Sequence, residues 1–510
     1  MSILNINIHD NDLVKRFPEY VEYNTQLKDK YGEVNTPYTF ICEMFKVIPL
    51  NLCNSNSNSN SNNNSNNNSN SNNNSNSNSN DTVHSYTNIK DTKWLDAGAG
   101  RGNFSFCLFT TLVNVLKDII PDPKERKEHI ITNMLYLVEL NEENIPHLRE
   151  KFGKKANIIH EDYLLWNTDL QFDFIIGNPP YNSGGVKKVP TKTNTDKKED
   201  GKTVWTEFIK KNISLLKDNG KMNVVIPSIW MKPDKAGMYD LLLKYQIEKL
   251  HAFHSSAVTK IFNYQVQTPL CYFLLTKREN QGKIELYDQQ INDYVDFPLK
   301  EKIPIPLCFA TIVNKFLKIV DRYGPIHVVK TNMPPKHITL HESPLDLETT
   351  MSYKNIKTTT LNKEKEPELK INYSNEPLAH HGEPKLVLAH KMYGFPYLDK
   401  DGSYGISARD NYIINNYSVK NLQLISEFLS TNLILFLFET TRYRMRYLEK
   451  YVFEYIPDFS KIPEAIQMFD TNNIDIYKLI GLNESEKQFV ERFRKIQYKF
   501  FSQLQENNPK

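Results

Sequence analysis

The chain has little cysteine and no long apolar run. Its five cysteines, Cys42, Cys53, Cys107, Cys271 and Cys308, are scattered through 510 residues, and none sits in a CxxC pair. That spacing argues against a zinc site or a disulfide scaffold and for a reducing compartment. No stretch approaches the roughly 20 apolar residues of a membrane span. The opening MSILNINIHDNDLVKRF carries acids inside a weakly apolar run, which excludes a signal peptide. An excess of one charge is missing too, with 63 Lys+Arg against 60 Asp+Glu. Residues 1–180 hold 16 basic and 22 acidic side chains, or −6, which leaves 47 and 38, or +9, for residues 181–510. A mildly basic C-terminal part hints at a polyanion partner, although most such charges are solvated surface. The expectation is an intracellular, soluble protein, cytoplasmic or nuclear, with two or three domains.

Residues 54–80 contain only Asn and Ser. Such a tract buries no apolar surface and reads as a disordered insertion, best explained by slippage in an AT-rich genome such as that of a virus or protist. Beyond it, short apolar runs alternate with helical patterns. WLDAGAG (94–100) reads as strand and Gly-rich turn, and 103–120 as helix. Residues 134–140 read as strand, 142–152 as helix, and 156–162 as a strand tip. FDFIIGN (172–178) is another strand, 206–220 a helix and 221–228 a further strand. This alternation predicts an α/β, doubly wound, mostly parallel sheet. Ligands of such sheets bind beyond the carboxyl ends of the strands. Here those ends carry Asp96, Glu139, Asp162 and Asn178-Pro179-Pro180-Tyr181, all polar.

The first turn is Asp96-Ala97-Gly98-Ala99-Gly100-Arg101-Gly102. Its glycines let the backbone approach a ligand, and the following helix offers free N–H groups. The spacing departs from the dinucleotide fingerprint, while Glu139 closes the next strand where a carboxylate can accept from both ribose hydroxyls. A small adenosine-containing cofactor fits better than a dinucleotide. The Asn-Pro-Pro-Tyr tip suits a different task. An exocyclic amino group on a base is a poor nucleophile because its lone pair is delocalised into the ring. Two acceptors on its N–H groups, the Asn178 side-chain oxygen and the Pro179 carbonyl, would draw it towards tetrahedral geometry. The prolines pre-position those acceptors, and Tyr181 offers a face for stacking. The plain alternative is a proline-stiffened turn.

Together, Asp-Ala-Gly-Ala-Gly, Glu139, Asp162 and Asn-Pro-Pro-Tyr resemble the S-adenosylmethionine-dependent DNA adenine-N6 methyltransferases, in particular the gamma class, the TaqI-like group. YGEVNTP (31–37), followed by the helical YTFICEMF, is similar to that family's Gly-x-x-x-Thr-Pro segment. The resemblance covers roughly 28–53 and 90–280. It implies a Rossmann-like methyltransferase sheet followed by a mixed α+β target-recognition domain. It also implies that Thr36 and Pro37 line the methionine end of the cofactor. Asp96, Ala97, Gly98 and Gly100 would lie against it, Glu139 on its ribose and Asp162 near its adenine. Asn178, Pro179, Pro180 and Tyr181 would be catalytic, with double-stranded DNA as partner and no metal. A second aromatic sandwiching the flipped base would be Phe262, with Tyr264 as substitute, although Phe262 reads equally as a core residue. The resemblance assigns residues 1–53 to an N-terminal helical segment, 81–282 to the catalytic domain and 283–510 to target recognition, in a monomer. The departure is the Asn/Ser tract, an insertion a surface connection should tolerate.

The segment 439–457 interleaves Arg442, Arg444, Arg446 and Lys450 with Tyr443, Tyr447 and Tyr451. Such a mixture can contact phosphates and stack on bases, or can cover a core. His380, His381 and His390 lack suitably spaced partners for a metal. Cytosine-C5 attack needs a cysteine, usually in a Pro-Cys dipeptide, which is absent, and cytosine-N4 enzymes generally carry Ser at the place of Asn178. An RNA or protein-glutamine N-methyltransferase keeps the chemistry and changes the substrate. A fused nuclease could be drawn through Asp346 and Glu368-Leu369-Lys370, but that pattern is degenerate, and only about 30 residues precede the Thr-Pro segment where such fusions usually carry the nuclease.

Overall fold

The computed structural model describes residues 36–50, 89–183, 202–233, 236–264, 266–344, 352–361, 367–390, 396–444 and 447–493. Tyr31–Asn35, the Asn/Ser tract, Asp346 and Arg446 lie outside them. The chain divides into two compact units, Met1–Val224 and Val225–Lys510.

The first unit opens with helix α1 (Tyr38–Phe45). Strand β1 (Trp94–Ala97), helices α2 (Asn103–Val115) and α3 (Pro123–His129), and β2 (Leu135–Glu139) follow. Next come α4 (Asn144–Phe152), β3 (Asn157–His160) and β4 (Phe172–Gly177). A small antiparallel pair, β5 (Asn182–Ser183) and β6 (Lys202–Thr203), leads to α5 (Trp205–Leu215) and β7 (Leu216–Pro227). Neighbouring strands run β7-β4-β1-β2-β3, all parallel. β1 is buried along its whole length, as expected of a strand covered on both faces. The Trp94 indole stacks on Phe174 of β4, with centroids 3.8 Å apart. α3 starts where a helix should, with Asp122 accepting from the Glu125 N–H and Pro123 in the first turn.

Two helices stop earlier than their periodicity suggests. α2 ends at Val115 rather than 120. α5 ends at Leu215 because Leu216 already pairs with Phe172 of β4, and Asn219 takes a left-handed backbone, φ 62°. The Asp218-Asn219-Gly220 stop is a turn inside the strand's approach, after which Lys221–Val224 pair with Phe174–Gly177.

The second unit holds α6 (Met238–Leu242), β8 (Tyr245–Phe253), α7 (Ser255–Ile261), β9 (Leu270–Glu279), β10 (Lys283–Asp288) and β11 (Asp293–Pro298). These strands neighbour in the order β11-β10-β8-β9, with β8 and β9 antiparallel. Helix α8 (Ala310–Tyr323) buries the stripe Ile312, Val313, Phe316, Leu317 and Val320. Short strands follow: β12 (Val329–Lys330), β13 (Tyr353–Leu361), β14 (Pro367–Ser374), β15 (Lys385–Ala389), β16 (Tyr397–Asp399), β17 (Gly405–Ile406) and β18 (Asn411–Ile414). They form a four-stranded sheet, β12-β18-β15-β16, and a three-stranded one, β14-β13-β17. Ile356, Val387, Ile406 and Ile413 share one core between them. Helices α9 (Val419–Leu429), α10 (Asn432–Thr440), α11 (Pro463–Asp470), α12 (Ile476–Ile480) and α13 (Glu484–Phe493) complete the unit. Among the described residues, no single helix is long and apolar enough to cross a membrane. The whole is an α/β fold with a Rossmann-like parallel sheet and a mixed α+β C-terminal part.

The short-stranded part contains a fully buried ion pair. Lys385 Nζ lies 2.5 Å from Asp399 Oδ2, with side chains 0% and 1% exposed. The Asp399 carboxylate also accepts from the Ser403 and Tyr404 N–H groups, at 3.0 and 3.1 Å. Removing the lysine would strand a carboxylate in the interior, which costs about 3–5 kcal/mol. Lys385→Ala should therefore lower the urea denaturation midpoint of the full chain sharply; a midpoint within error of the parent protein would show the pair to be inert.

Candidate active site

The winding of the sheet decides where a site can form. The chain proceeds outward from β1 through β2 to β3, then returns to the other side of β1 with β4. In sheets wound this way ligands bind beyond the strands' carboxyl ends, at such a switch point. Asp96 pairs in register with Ile176, so the Gly-rich turn and Asn178 emerge side by side. Gly177 makes this approach possible. Its φ is +140°, and a Cβ there would meet Asp96 Oδ1 at 3.2 Å. Beyond it, Pro180 packs on Gly98, where a Cβ would lie 3.7 Å from the proline Cδ.

The Gly-rich turn keeps a left-handed backbone at Gly98, Gly100 and Gly102, with φ of 79°, 55° and 81°. Gly98 and Ala99 N–H groups donate to the Val138 carbonyl at 3.0 and 2.9 Å, which ties the turn to β2. Gly100 N–H donates to Glu139 Oε2 at 2.7 Å, and Asn141 N–H donates to Oε1 at 2.8 Å. Asn144 Nδ2 also donates to Oε1, at 3.3 Å. Asn141 itself accepts from the Glu143 N–H ahead of α4, a local turn contact rather than a helix cap.

Asp96 is buried, and its Oδ2 accepts from the Ser105 hydroxyl at 2.7 Å and the Ser105 N–H at 3.2 Å. Burial pushes its carboxyl up to about 7; the Ser105 bonds oppose this and the nearby Glu139 charge adds to it. Asp162 sits in a one-turn loop after β3, where its side chain accepts from the Leu164 N–H at 2.9 Å. That loop is braced from α5. Lys211 donates to the Tyr163 and Trp166 carbonyls, and the Tyr163 hydroxyl donates to Asn212 Oδ1 at 2.6 Å.

At the tip of β4 the Asn178 carboxamide has one hydrogen bond among the described residues. Its Nδ2 donates to Thr36 Oγ1 at 3.0 Å, while its Oδ1 is buried without a partner. A buried acceptor left unsatisfied is costly and calls for an explanation. Pro179 is buried beside it, and the Tyr181 carbonyl accepts from Val204 N–H, which ties the loop to the start of α5. Thr36 and Pro37 reach this place because α1 docks on α2. Phe45 meets Phe104, and the Cys42 and Cys107 sulfurs approach to 3.7 Å. The Cys107 hydrogen bond pulls the Cys42 thiol down to about 7.

Thr36, Pro37, Asp96, Ala97, Gly98, Gly100, Glu139, Asp162 and Asn178–Tyr181 all belong to the first unit. Phe262, Arg442 and Arg444 belong to the second. Phe262 is 2% exposed, whereas Tyr264 is 73% exposed in a left-handed backbone, φ 65°. Arg442 pairs with Glu439 at 2.7 Å, and Arg444 Nε lies 3.6 Å from Glu449. Tyr443 is core, its hydroxyl donating to the Ile305 carbonyl. Tyr447 is exposed and stacks on His390. Sequence reasoning missed Ser105, whose role depends on the turn geometry. It also missed Leu140 and Leu165, exposed apolar side chains 51% and 75% accessible that follow Glu139 and Asp162. Exposed leucines next to acidic strand ends can cover a purine, and their position was a readable signal.

Residues 43–259 match the model of the Eco57I restriction-modification methylase family. A tRNA1(Val) (adenine(37)-N6)-methyltransferase of Bacteroides fragilis is 33% identical over 82 residues, 16% of this chain and 34% of that protein. The type II methyltransferase M.TthHB8I of Thermus thermophilus is 35% identical over 86 residues, 14% of this chain and 20% of that protein. The chain thus spans a fifth to a third of the length of these curated relatives. The type IIL restriction-modification enzyme MmeI, solved in complex with DNA, aligns with a TM-score of 0.40 and 12% identity over 80% of this chain and 71% of that one.

Asp96 makes the protein's stability depend on pH. Its folded pKa, about 7, lies above the unfolded value near 3.8, so the carboxyl favours folding most below pH 4, and that advantage is lost as pH rises through 7. Urea denaturation at pH 5 and pH 8 should show a loss across this interval in the parent chain that Asp96→Asn largely removes. An equal loss in both would mean that Asp96 is ionised throughout.

Proposed function

We propose that the restriction-modification methylase domain matched over residues 43–259 transfers a methyl group from S-adenosylmethionine to the N6 amino group of an adenine in double-stranded DNA. One observation carries this reading: the buried, unpartnered Oδ1 of Asn178 beside the Gly-rich turn. Such an acceptor suits the N–H of an incoming amine.

The residues present fit the methyl donor. The left-handed glycines leave room for backbone contact, and Glu139 ends β2 where its carboxylate would meet the ribose hydroxyls. Asp162 and the exposed Leu140 and Leu165 offer one polar and two apolar contacts for its adenine. Thr36 and Pro37 would line its methionine end. When bound, S-adenosylmethionine supplies an electrophilic methyl group on a sulfonium.

The chain's own residues would do the rest. Asn178 Oδ1 and the Pro179 carbonyl would accept the two N–H groups of the target amine and turn its lone pair outward. Those acceptors also stabilise the positive charge that develops on nitrogen, and their rigidity avoids reorganisation at that moment. A carboxamide suffices because the amine becomes acidic only after attack, when solvent can take the proton. The base must leave the duplex to reach the pocket, with Tyr181 as a stacking face. Residues 283–510, with Arg442, Arg444 and Arg446, would supply contacts to DNA.

A second reading has a specific observation behind it, the match to a tRNA adenine-N6 methyltransferase. It keeps the chemistry and exchanges DNA for RNA. Both are tested in one assay. Methyl incorporation into unmethylated DNA should exceed that into tRNA, and Asn178→Ala should lower kcat by at least ~10²-fold with the affinity for S-adenosylmethionine nearly unchanged. Preferential labelling of tRNA would select the second reading; near-normal turnover by the variant would remove both.

A further inference from the structure

We propose that Cys42 and Cys107 form a redox modification site, a dithiol that a small disulfide converts into an intramolecular cross-link fastening helix α1 to helix α2. This goes beyond methyl transfer and does not rest on it.

Helix α1 depends on docking. It is eight residues long, and a helix below roughly 12–15 residues is marginal in water by itself. Phe40, Ile41, Met44 and Phe45 are buried, and Phe45 meets Phe104 of α2 with centroids 6.3 Å apart. Along the chain, however, Cys42 and Cys107 are 65 positions apart, and residues 54–80 between them hold only Asn and Ser. Such a tract brings no apolar surface to the contact. The entropy of closing so long a connection must be met by the packing of α1. A bond between the two helices would bypass the tract.

The two side chains are arranged for thiol–disulfide exchange. Their sulfurs lie 3.7 Å apart, about 1.7 Å beyond a disulfide bond. Cys42 is half-buried and Cys107 buried, so an oxidant in solution meets Cys42 first. The hydrogen bond from Cys107 pulls the Cys42 thiol down to about 7 against the effect of burial, with a further pull from Tyr38 one turn earlier on α1. Cys42 is thereby the attacking thiolate. Cys107, held protonated by its bond to Cys42 and by burial, is the resolving thiol.

The step balances with glutathione disulfide as the oxidant. The Cys42 thiolate attacks one of its sulfurs and the S–S bond breaks. One glutathione thiolate leaves and takes up the proton that Cys42 had released. Cys107 Sγ then attacks Cys42 Sγ, and its proton goes to the second departing glutathione thiolate. Two protein thiols are oxidised and one disulfide is reduced to two thiols. In a reducing compartment the bond would be transient. While it lasts, α1 and the Thr36-Pro37 corner at its head stay fastened to α2.

The full chain is incubated with glutathione disulfide, digested without reduction and mapped by mass spectrometry, and amide hydrogen exchange is followed over residues 38–45. A peptide joining Cys42 to Cys107 should form, and should disappear with dithiothreitol. Exchange in α1 should slow by at least about tenfold on oxidation, because the cross-link suppresses its separate opening. Cys42→Ser should show neither change. Cys107→Ala should stop at a glutathione adduct on Cys42. If either variant misfolds, the parent chain alone carries the test, since dithiothreitol restores its reduced form. An adduct without a cross-link in the parent chain overturns the inference. A cross-link through Cys53 instead, or one between Cys42 and Cys107 that leaves α1 exchange unchanged, does so too. Normal turnover by Asn178→Ala, which would remove the proposed function, leaves this result untouched.

Discussion

The candidate site depends on two strand ends lying closer than most side chains would permit. β1 and β4 pair through Asp96 and Ile176, and the next residue of β4, Gly177, has no side chain to collide with Asp96. With that bare position the Asn-Pro-Pro-Tyr loop can settle on Gly98. A Cβ at Gly177 would press on the Asp96 carboxylate, and one at Gly98 would be strained by its left-handed backbone. The rest of the first unit supports this contact. Trp94 stacks on Phe174 behind it, β2 holds the Gly-rich turn through the Val138 carbonyl, and α5 braces the Asp162 loop.

The electrostatics follow from the same crowding. Two carboxylates, Asp96 and Glu139, end adjacent strands, and both are buried. Glu139 accepts backbone N–H groups from the turn and from the start of the α4 connection. Asp96 has a serine in place of a cation, and burial raises its pKa to about 7. A cationic ligand nearby would favour its charged form, and a buried acid displaced in this way is the kind of group found at binding sites.

Much of this was readable beforehand, for a reason. Strands buried on both faces write themselves as unbroken apolar runs, and the polar residue that ends each run marks the ligand face. Asp96, Glu139, Asp162 and Asn178 were located in this way. Helix ends were less legible. α5 stops at Leu215 because that segment pairs with β4, and pairing is not a local property. The arginine-tyrosine segment near 442 was ambiguous because periodicity does not say which face is wet. The structure turns Tyr443 into the core and joins Arg442 to Glu439, while Tyr447 stays exposed.

The sequence by itself determined the order of the five parallel strands of the first unit, the glycines that permit a left-handed turn, and the chemical identity of the residues at the strand ends. These are consequences of local sterics and of burial period, which act over a few residues. Only the tertiary structure decided that Thr36, 142 positions away, would hold the Asn178 nitrogen, and that Ser105 would bond Asp96. It also brought Cys42 and Cys107 together across 65 positions. Such contacts depend on how α1 docks against α2. Docking is set by the summed packing of many side chains, and no short stretch of the chain records it.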